Sequence, residues 1–439
     1  MTNHRIVADA IRSSDIDRPA LSIAKPSLAF ALSCCSVFLF TALPLRSMAD
    51  DSWDRFRGPN GSGVLQDCKV QIPWSDSQVS RISLEGTGNG SPVLFRDRAF
   101  VLSSDPKTAQ RFVDGIDLKT NSIEWRKTYE SIEHSLHQLS SYASSTPCVD
   151  DQGVYVAWAD PKNVVVKAFS HDGSERWSRD FGRYVSQHGF GTSPILVDGL
   201  LILLNSQDAQ ELPPGVEPGQ DSMIALETTT GQVAWQVELP TTRVCYGVPC
   251  VRKTADATEL ICSTTGQGMF ALNAKSGDLL WSHDCFRQRV CSSAVLSGNI
   301  LLGTHGSGGG RDNLLVAFDV DQRKELFRIN RFAPYVPTPV VDNGFVFLWS
   351  DTGIVTCIEL KSGSQVWNKR IGGDYSGSPV ILGDKLINAS HDGKVTVLAA
   401  TGEFEELGSI ETSQTIRSTL AARSDCVLLR SNEELWIIR

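Results

Sequence analysis

Residues 225–235 read ALETTTGQVAW, residues 271–281 read ALNAKSGDLLW and residues 357–367 read CIELKSGSQVW. Each is eleven residues long, with Gly four places before Trp. Residues 168–177 (AFSHDGSERW) repeat the unit one residue shorter, and residues 317–327 (AFDVDQRKELF) keep the frame with Phe in place of Trp. Residues 116–125 (IDLKTNSIEW) and 397–407 (VLAATGEFEEL) are degenerate copies. A short apolar run, a Gly or Asn turn and a second run make a β-hairpin, the turn residue supplying positive φ.

A second motif runs in step with the first. Ser91-Pro92, Thr146-Pro147, Ser193-Pro194, Val248-Pro249, Ser293-Ala294, Thr338-Pro339, Ser378-Pro379 and Ser418-Thr419 each open an apolar strand. Their second positions are spaced 55, 47, 55, 45, 45, 40 and 40 residues apart. Eight units of four strands at this period predict an all-β, eight-bladed β-propeller. There are eight first-strand motifs but seven complete outer hairpins, because the last unit, Gln414 to Arg439, supplies only three strands. Counting 12 back from Pro92 reaches Ser80, in the slot that Trp fills elsewhere. The segment VSRISLEG (79–86) is therefore expected to complete the last blade and close the ring, which removes its exposed edges. Trp125, Trp177, Trp235, Trp281 and Trp367 hold one position on the outer strands and are read as structural contacts between blades.

The composition agrees with an all-β protein. The 439 residues include 36 Gly and 10 Trp but only 4 Met, and 21% are charged. A net charge of −9 with no basic block excludes nucleic acid as a partner. Ser27 to Leu45 carries no charge, and small residues at Ser47 and Ala49 follow it. Residues 1–49 thus read as a signal peptide cleaved near Ala49, or as a membrane anchor if uncleaved. Residues 50–77 form an N-terminal extension and residues 78–439 the propeller, expected to be an exported monomer of the periplasm or cell envelope. Nine cysteines remain after the leader, an odd number, and none lies in a CxxC pair or with zinc spacing. Cys250 and Cys262 fall on neighbouring strands, where a disulfide is conceivable.

The Ala-Leu-Asn-x-x-(Ser/Thr)-Gly-x-x-x-Trp unit resembles the tryptophan-docking repeat of the quinoprotein, or PQQ-like, β-propellers. The resemblance spans about residues 78–439, and the opening WDRFRGPNGSG (53–63) is similar to the start of secreted PQQ-like repeat proteins. It implies a bacterial envelope protein. The superfamily holds calcium- and PQQ-dependent alcohol dehydrogenases and also the non-catalytic propeller lipoprotein of the outer-membrane assembly machine, so fold does not decide function.

Propeller geometry indicates where a site belongs. Residues just ahead of each inner strand ring the mouth of the central funnel: Asn89, Tyr142, His188, Tyr246, Arg289, Tyr335, Tyr375 and Arg417, with Arg243, Arg331 and Asp374 close behind. Four of the chain's 7 Tyr fall at this one repeat location. Tyr and Arg are residues of binding hot spots. Two irregular stretches, 205–221 and 303–312, belong to the same face; the second is glycine-rich but lacks the Lys-Ser/Thr of a phosphate loop. Asp208, His305, His391 and Asp392 in these stretches read as surface-loop residues, and His134 with His137 as a metal pair only if a third ligand is supplied. Arg289 and Arg417 match the role of carboxylate clamps for PQQ, with Asp374 as base. Against a PQQ enzyme stand the lack of long insertions and the lack of a Glu/Asn/Asp set for calcium. The sole vicinal Cys34-Cys35 falls in the leader. The sequence therefore favours a propeller without catalytic residues, cofactor or metal, binding an envelope protein or peptide at the funnel. A polysaccharide or small ligand is the alternative. Mass analysis of the exported protein should find a chain that begins near Asp50; an intact 1–45 segment would contradict the processing.

Overall fold

The computed structural model describes residues 53–308 and 310–439. The charge-free run 27–45, the cleavage site at Ala49 and Cys34-Cys35 lie outside them.

Eight blades of four antiparallel strands follow one another along the chain, and a parallel fifth strand, Val64–Leu65, joins the sheet of the seventh. The first blade is Val93–Phe95, Arg98–Ser104, Arg111–Asp117 and Ser122–Tyr129. The eighth is Ala421–Arg423, Cys426–Arg430 and Glu434–Ile438, completed by Val79–Ser83. Val79 pairs with Ile438 and Ser83 with Glu434, so strands from the two ends of the chain close the ring in one sheet. The inner strands are short and the second and third strands almost wholly buried, since each blade is covered on both faces by its neighbours.

The Trp frame has a local cause. Ala225 pairs with Trp235, Ala271 with Trp281 and Cys357 with Trp367, and a β-bulge follows each pair. A small residue opposite the indole leaves room for the ring. In the first blade that residue is Gly115, one place earlier than the hairpin frame put it, where a Cβ would lie 2.2 Å from the Trp125 ring. Each indole then reaches the hairpin turn of the next blade. Trp125 Nε1 donates to the carbonyl of His171 (2.8 Å), Trp177 to Thr228 (2.9 Å), Trp235 to Ala274 (3.0 Å) and Trp367 to Thr401 (3.2 Å). The turn glycine is what admits the ring: at Gly277 a Cβ would stand 2.7 Å from Trp235. Trp281 meets a turn without glycine, and Arg323, at φ 53°, instead lays its guanidinium 4.6 Å above the ring centroid.

The inner ends of the blades are tied by side-chain hydroxyls. The backbone N–H of Ser91 donates to Thr146 Oγ1, that of Thr146 to Ser193 Oγ, and the pattern continues through Val248→Ser293, Ser293→Thr338, Thr338→Ser378, Ser378→Thr419 and Thr419→Ser91. Only the step onto Val248 lacks a hydroxyl. In the last blade the linking residue is Thr419, one place after the Ser418 that the spacing indicates, and Leu420 stands where six of the other seven blades carry Pro.

The extension 50–77 proves integral to the ring from Trp53 onward. Trp53 bridges to Leu94 and Asp54 accepts from Val149 N–H. The chain then rises into the channel, turns at 58–61 and descends beside the seventh blade, where Val64 and Leu65 pair in parallel with Ile381 and Leu382. Arg57 is fully buried, and its guanidinium donates only to carbonyls: Gly61, Ser62, Thr338, Pro339 and Pro379. Arg55 donates to the Pro249 carbonyl, and Asn60 exchanges two bonds with Val251. One short loop thus pins inner strands of the first, second, fourth, sixth and seventh blades.

The cysteines are free among the described residues. Cys250 pairs with Ile261, so Cys262 on the next residue points to the opposite face of the blade and packs in a different core cluster. A 250–262 disulfide is excluded by that alternation.

Replacing Arg57 by Ala should cost at least about 3 kcal/mol, since several buried carbonyls lose their donor at once. Urea unfolding of a chain of residues 50–439 measures it, and a loss below about 1 kcal/mol would deny the loop its role as a staple.

Candidate functional site

The channel opens on one face as a cavity of about 670 Å³. Its floor includes Phe56, carried up from the opposite side by the N-terminal loop, and its wall includes the hydroxyl-bearing residues Ser91, Thr146, Ser193, Thr338, Ser378 and Thr419. Of the eight residues expected at the mouth, Asn89, His188, Tyr246, Arg289, Tyr335, Tyr375 and Arg417 line this cavity. Tyr142 does not. Its side chain is turned away beneath the loop before the second blade, where its hydroxyl bonds the His134 backbone and Arg111 covers its ring at 5.1 Å.

The lining residues are not alike. Asn89 Nδ2 donates to the Leu139 carbonyl, latching the 131–145 loop over the funnel. Tyr375 is 2% exposed and packs edge-on against Trp349, ring centroids 5.2 Å apart. Tyr246 and Tyr335 are half-buried and present more of their rings. Arg289 spans from the fifth blade to the third: Nη1 donates to His188 Nε2 at 2.7 Å, and Nη2 lies 3.7 Å from the buried carboxylate of Asp208. His188 must be neutral to accept that bond. Burial, then the charge of Arg289, hold its pKa down to about 4. His137 stacks edge-on against it at 5.1 Å.

Several loop residues that read as surface groups carry internal bonds instead. Asp208 is buried and accepts from the backbone N–H of Gln187 and Val244. Asp221 caps the same stretch by accepting from Ser206 and Gln207, and burial pushes its pKa up to about 7. His305 is 6% exposed and accepts from Gln288 N–H, and burial brings its pKa down to about 4. Asp351 receives the amides of Tyr335 and Val336 on its two oxygens. His391 lines the cavity and meets Ser376 Oγ at 2.8 Å. His134 and His137 point apart, one to Tyr142 and one to His188. Among the described residues, no group of three or more His, Cys, Asp or Glu is placed to hold a metal ion. Arg331 is exposed, and Arg243 pairs with Glu211. Residues that the repeat did not mark also line the funnel: Phe56, Gln138, Leu139, Cys291 and Asp351. Only the charged, glycine-rich segment 53–63 gave a signal, since no repeat accounts for it.

The depressed histidine values have a consequence for pH. An unfolded histidine titrates near 6.5. A folded value of about 4 means that the unfolded state takes the proton first, so the stability contribution is whole above about pH 6.5 and is lost as pH falls toward 4. Asp221 pulls the opposite way over part of this range, so the comparison is made between variants. Relative to His188→Gln, the wild-type protein should lose stability between pH 6.5 and 4 in urea melts. Parallel pH curves would show that His188 carries no such bias.

The PQQ_2 family model, described as outer membrane protein assembly factor BamB, matches residues 72–244, 219–337 and 311–428. The outer membrane protein assembly factor BamB of Yersinia pestis is 24% identical over 263 residues, 56% of this chain and 64% of that protein, so the match spans a little under two thirds of its length. Among solved structures, BamB of Moraxella catarrhalis superposes with a TM-score of 0.59 at 16% identity, covering 82% of this chain and 96% of that one. A quinohemoprotein alcohol dehydrogenase of Comamonas testosteroni superposes with a TM-score of 0.64 at 10% identity, covering 88% and 80%. Those two likenesses are of fold. With its matches running through all eight blades, the chain belongs to the PQQ_2 family, that of outer membrane protein assembly factor BamB.

Proposed function

We propose that this chain is a non-catalytic propeller of the bacterial envelope whose funnel binds a segment of a partner protein, in the service of outer-membrane protein assembly. The observation that carries the reading is the one-sided funnel. Its floor is closed by the protein's own N-terminal loop, and its mouth is walled by half-buried Tyr246 and Tyr335, by Arg289 and by neutral histidines. A cavity of this kind offers apolar rings with polar tips and buried donors, which is how hot spots on protein surfaces are built. Its volume suits a few side chains of an extended segment. Family membership supports the same direction, since the relatives are named as assembly factors. Export to the envelope is part of the proposal and rests on the leader-like residues 27–49 and on those relatives.

The likeness to a quinohemoprotein dehydrogenase invites the other reading, with PQQ held by calcium in the funnel. The donor set does not fit that group. Calcium requires six to eight oxygens, several from carboxylates. Asp351 has both oxygens engaged by backbone amides, which leaves Asp374 as the other acidic lining residue. No catalytic step is therefore assigned.

A photo-crosslinking amino acid at Leu139, which is 40% exposed on the funnel rim, should capture a discrete envelope protein in intact cells. The same group at Val233, 48% exposed on an outer strand, should not. Capture at Val233 with none at Leu139 would move the binding face to the rim of the ring and overturn the proposal.

A further inference from the structure

We propose that a carboxylate of the bound peptide segment seats on Arg417, on the wall of the funnel formed by the eighth blade. This rests on the reading of the funnel as a protein-binding face and adds the chemistry that the segment must carry.

The observation is an arginine with nothing to hold. The other buried and half-buried arginines of the described residues are occupied. Arg57 has its five carbonyl contacts, Arg430 donates to the Gly90 and Leu102 carbonyls and to Ser103, and Arg289 has His188. Arg417 is half-buried in the cavity wall, its Nε is shielded from solvent, and it makes no hydrogen bond or ion pair among the described residues. It serves no blade contact either, since the tie at this point is Thr419. A guanidinium partly withdrawn from water and left unpaired is costly unless an acceptor arrives. The partner it suits best is a carboxylate, which a planar fork can take with two parallel bonds.

The surroundings narrow the class. His391, beside Arg417, is held toward its neutral form by burial and by that arginine, so it adds no second positive charge. Its ring meets Ser376 Oγ, a hydroxyl on the same wall. Asp374 and Asp351 line the same cavity and would repel a ligand of high negative charge. A single carboxylate accompanied by N–H donors meets Arg417 and Asp374 together. A peptide segment brings both; a phosphate or a polyanionic glycan brings further negative charge, which Asp374 and Asp351 oppose. The carboxylate comes either from an acidic side chain or from a chain terminus.

Three dansyl-labelled probes separate these sources by fluorescence anisotropy on the mature protein: Ala-Phe-Glu-Phe-amide, Ala-Phe-Gln-Phe with a free terminal carboxylate, and Ala-Phe-Gln-Phe-amide. At least one carboxylate-bearing probe should bind tenfold or more tighter than the neutral one, and the difference should shrink as salt is raised. Arg417→Gln should erase the difference, and Arg417→Lys should keep part of it. The melting temperature should stay within a degree or two in both variants, because Arg417 holds no part of the fold. Equal binding of the three probes, binding of none, a preference that survives Arg417→Gln, or a fall of many degrees in melting temperature would each overturn the assignment. The protein-binding reading fails separately, in the Leu139 crosslinking, so a neutral peptide that binds while Leu139 captures a partner would discard the carboxylate alone.

Discussion

A propeller depends on how its innermost strands begin. Eight strand starts converge on one axis, and each brings a backbone N–H that its own blade cannot satisfy. Burying such a donor unpaired costs on the order of 1–3 kcal/mol. Here the hydroxyl of the next blade accepts it, from Ser91 through Thr146 and Ser193, and again from Val248 round to Thr419 and back to Ser91. The bond from Thr419 to Ser91 joins the last blade to the first, 328 residues apart in sequence, so the circle is closed at its hub as well as by the shared sheet. The residues just ahead of these steps are therefore brought to one rim whatever their chemistry, and the funnel is a consequence of the hub.

The hub needs a filling, and the N-terminal loop supplies it. A positive charge placed among backbone carbonyls, with no carboxylate near, is an unusual way to bury an arginine: burial brings the pKa of Arg57 down to about 9, so it remains charged at neutral pH. Three of the carbonyls come from the sixth and seventh strand starts, where the N–H groups of Thr338 and Ser378 already go to hydroxyls, so the loop takes carbonyls and the hydroxyl ring takes N–H groups. The tight turn follows from this crowding. A Cβ at Gly63 would stand 2.6 Å from the Arg57 guanidinium, and one at Gly58 2.5 Å from the Trp53 ring. The glycines of WDRFRGPNGSG are spaces that its own arginine and tryptophan occupy.

The blades were legible because their signal is local. Trp, the small residue opposite it and its own hairpin turn all lie within about eleven residues, and the indole-to-turn bond recurs at Trp125, Trp177, Trp235 and Trp367. The repeat is a poorer ruler than a signature. Spacing indicates Ser418, whereas the eighth blade is tied through Thr419, and Tyr142, a rim residue by count, turns inward to bond the His134 backbone of its own loop. The disulfide between Cys250 and Cys262 looked open by adjacency, yet strand alternation sends them to opposite faces. Phe56 could not be found by period at all, since it reaches the funnel from a segment outside the repeat.

The rim also shows why residue type alone is a weak guide to function in such a ring. Arg289 and Arg417 hold comparable places ahead of their strands, and in sequence they are interchangeable. Their difference arises from loops of other blades. The 205–221 stretch is long enough to carry Asp208 inward beside Arg289, while His188 comes from the loop before the third blade. The corresponding turn of the sixth blade, between Trp349 and Ile354, is short, and its Asp351 is spent on the amides of Tyr335 and Val336. One arginine is thereby committed to holding the funnel in shape and the other is left with its donors facing the cavity. In a repeat fold the equivalent positions are fixed by the hub, but which of them is free to meet a partner is decided by unequal loops, and those have no period to read.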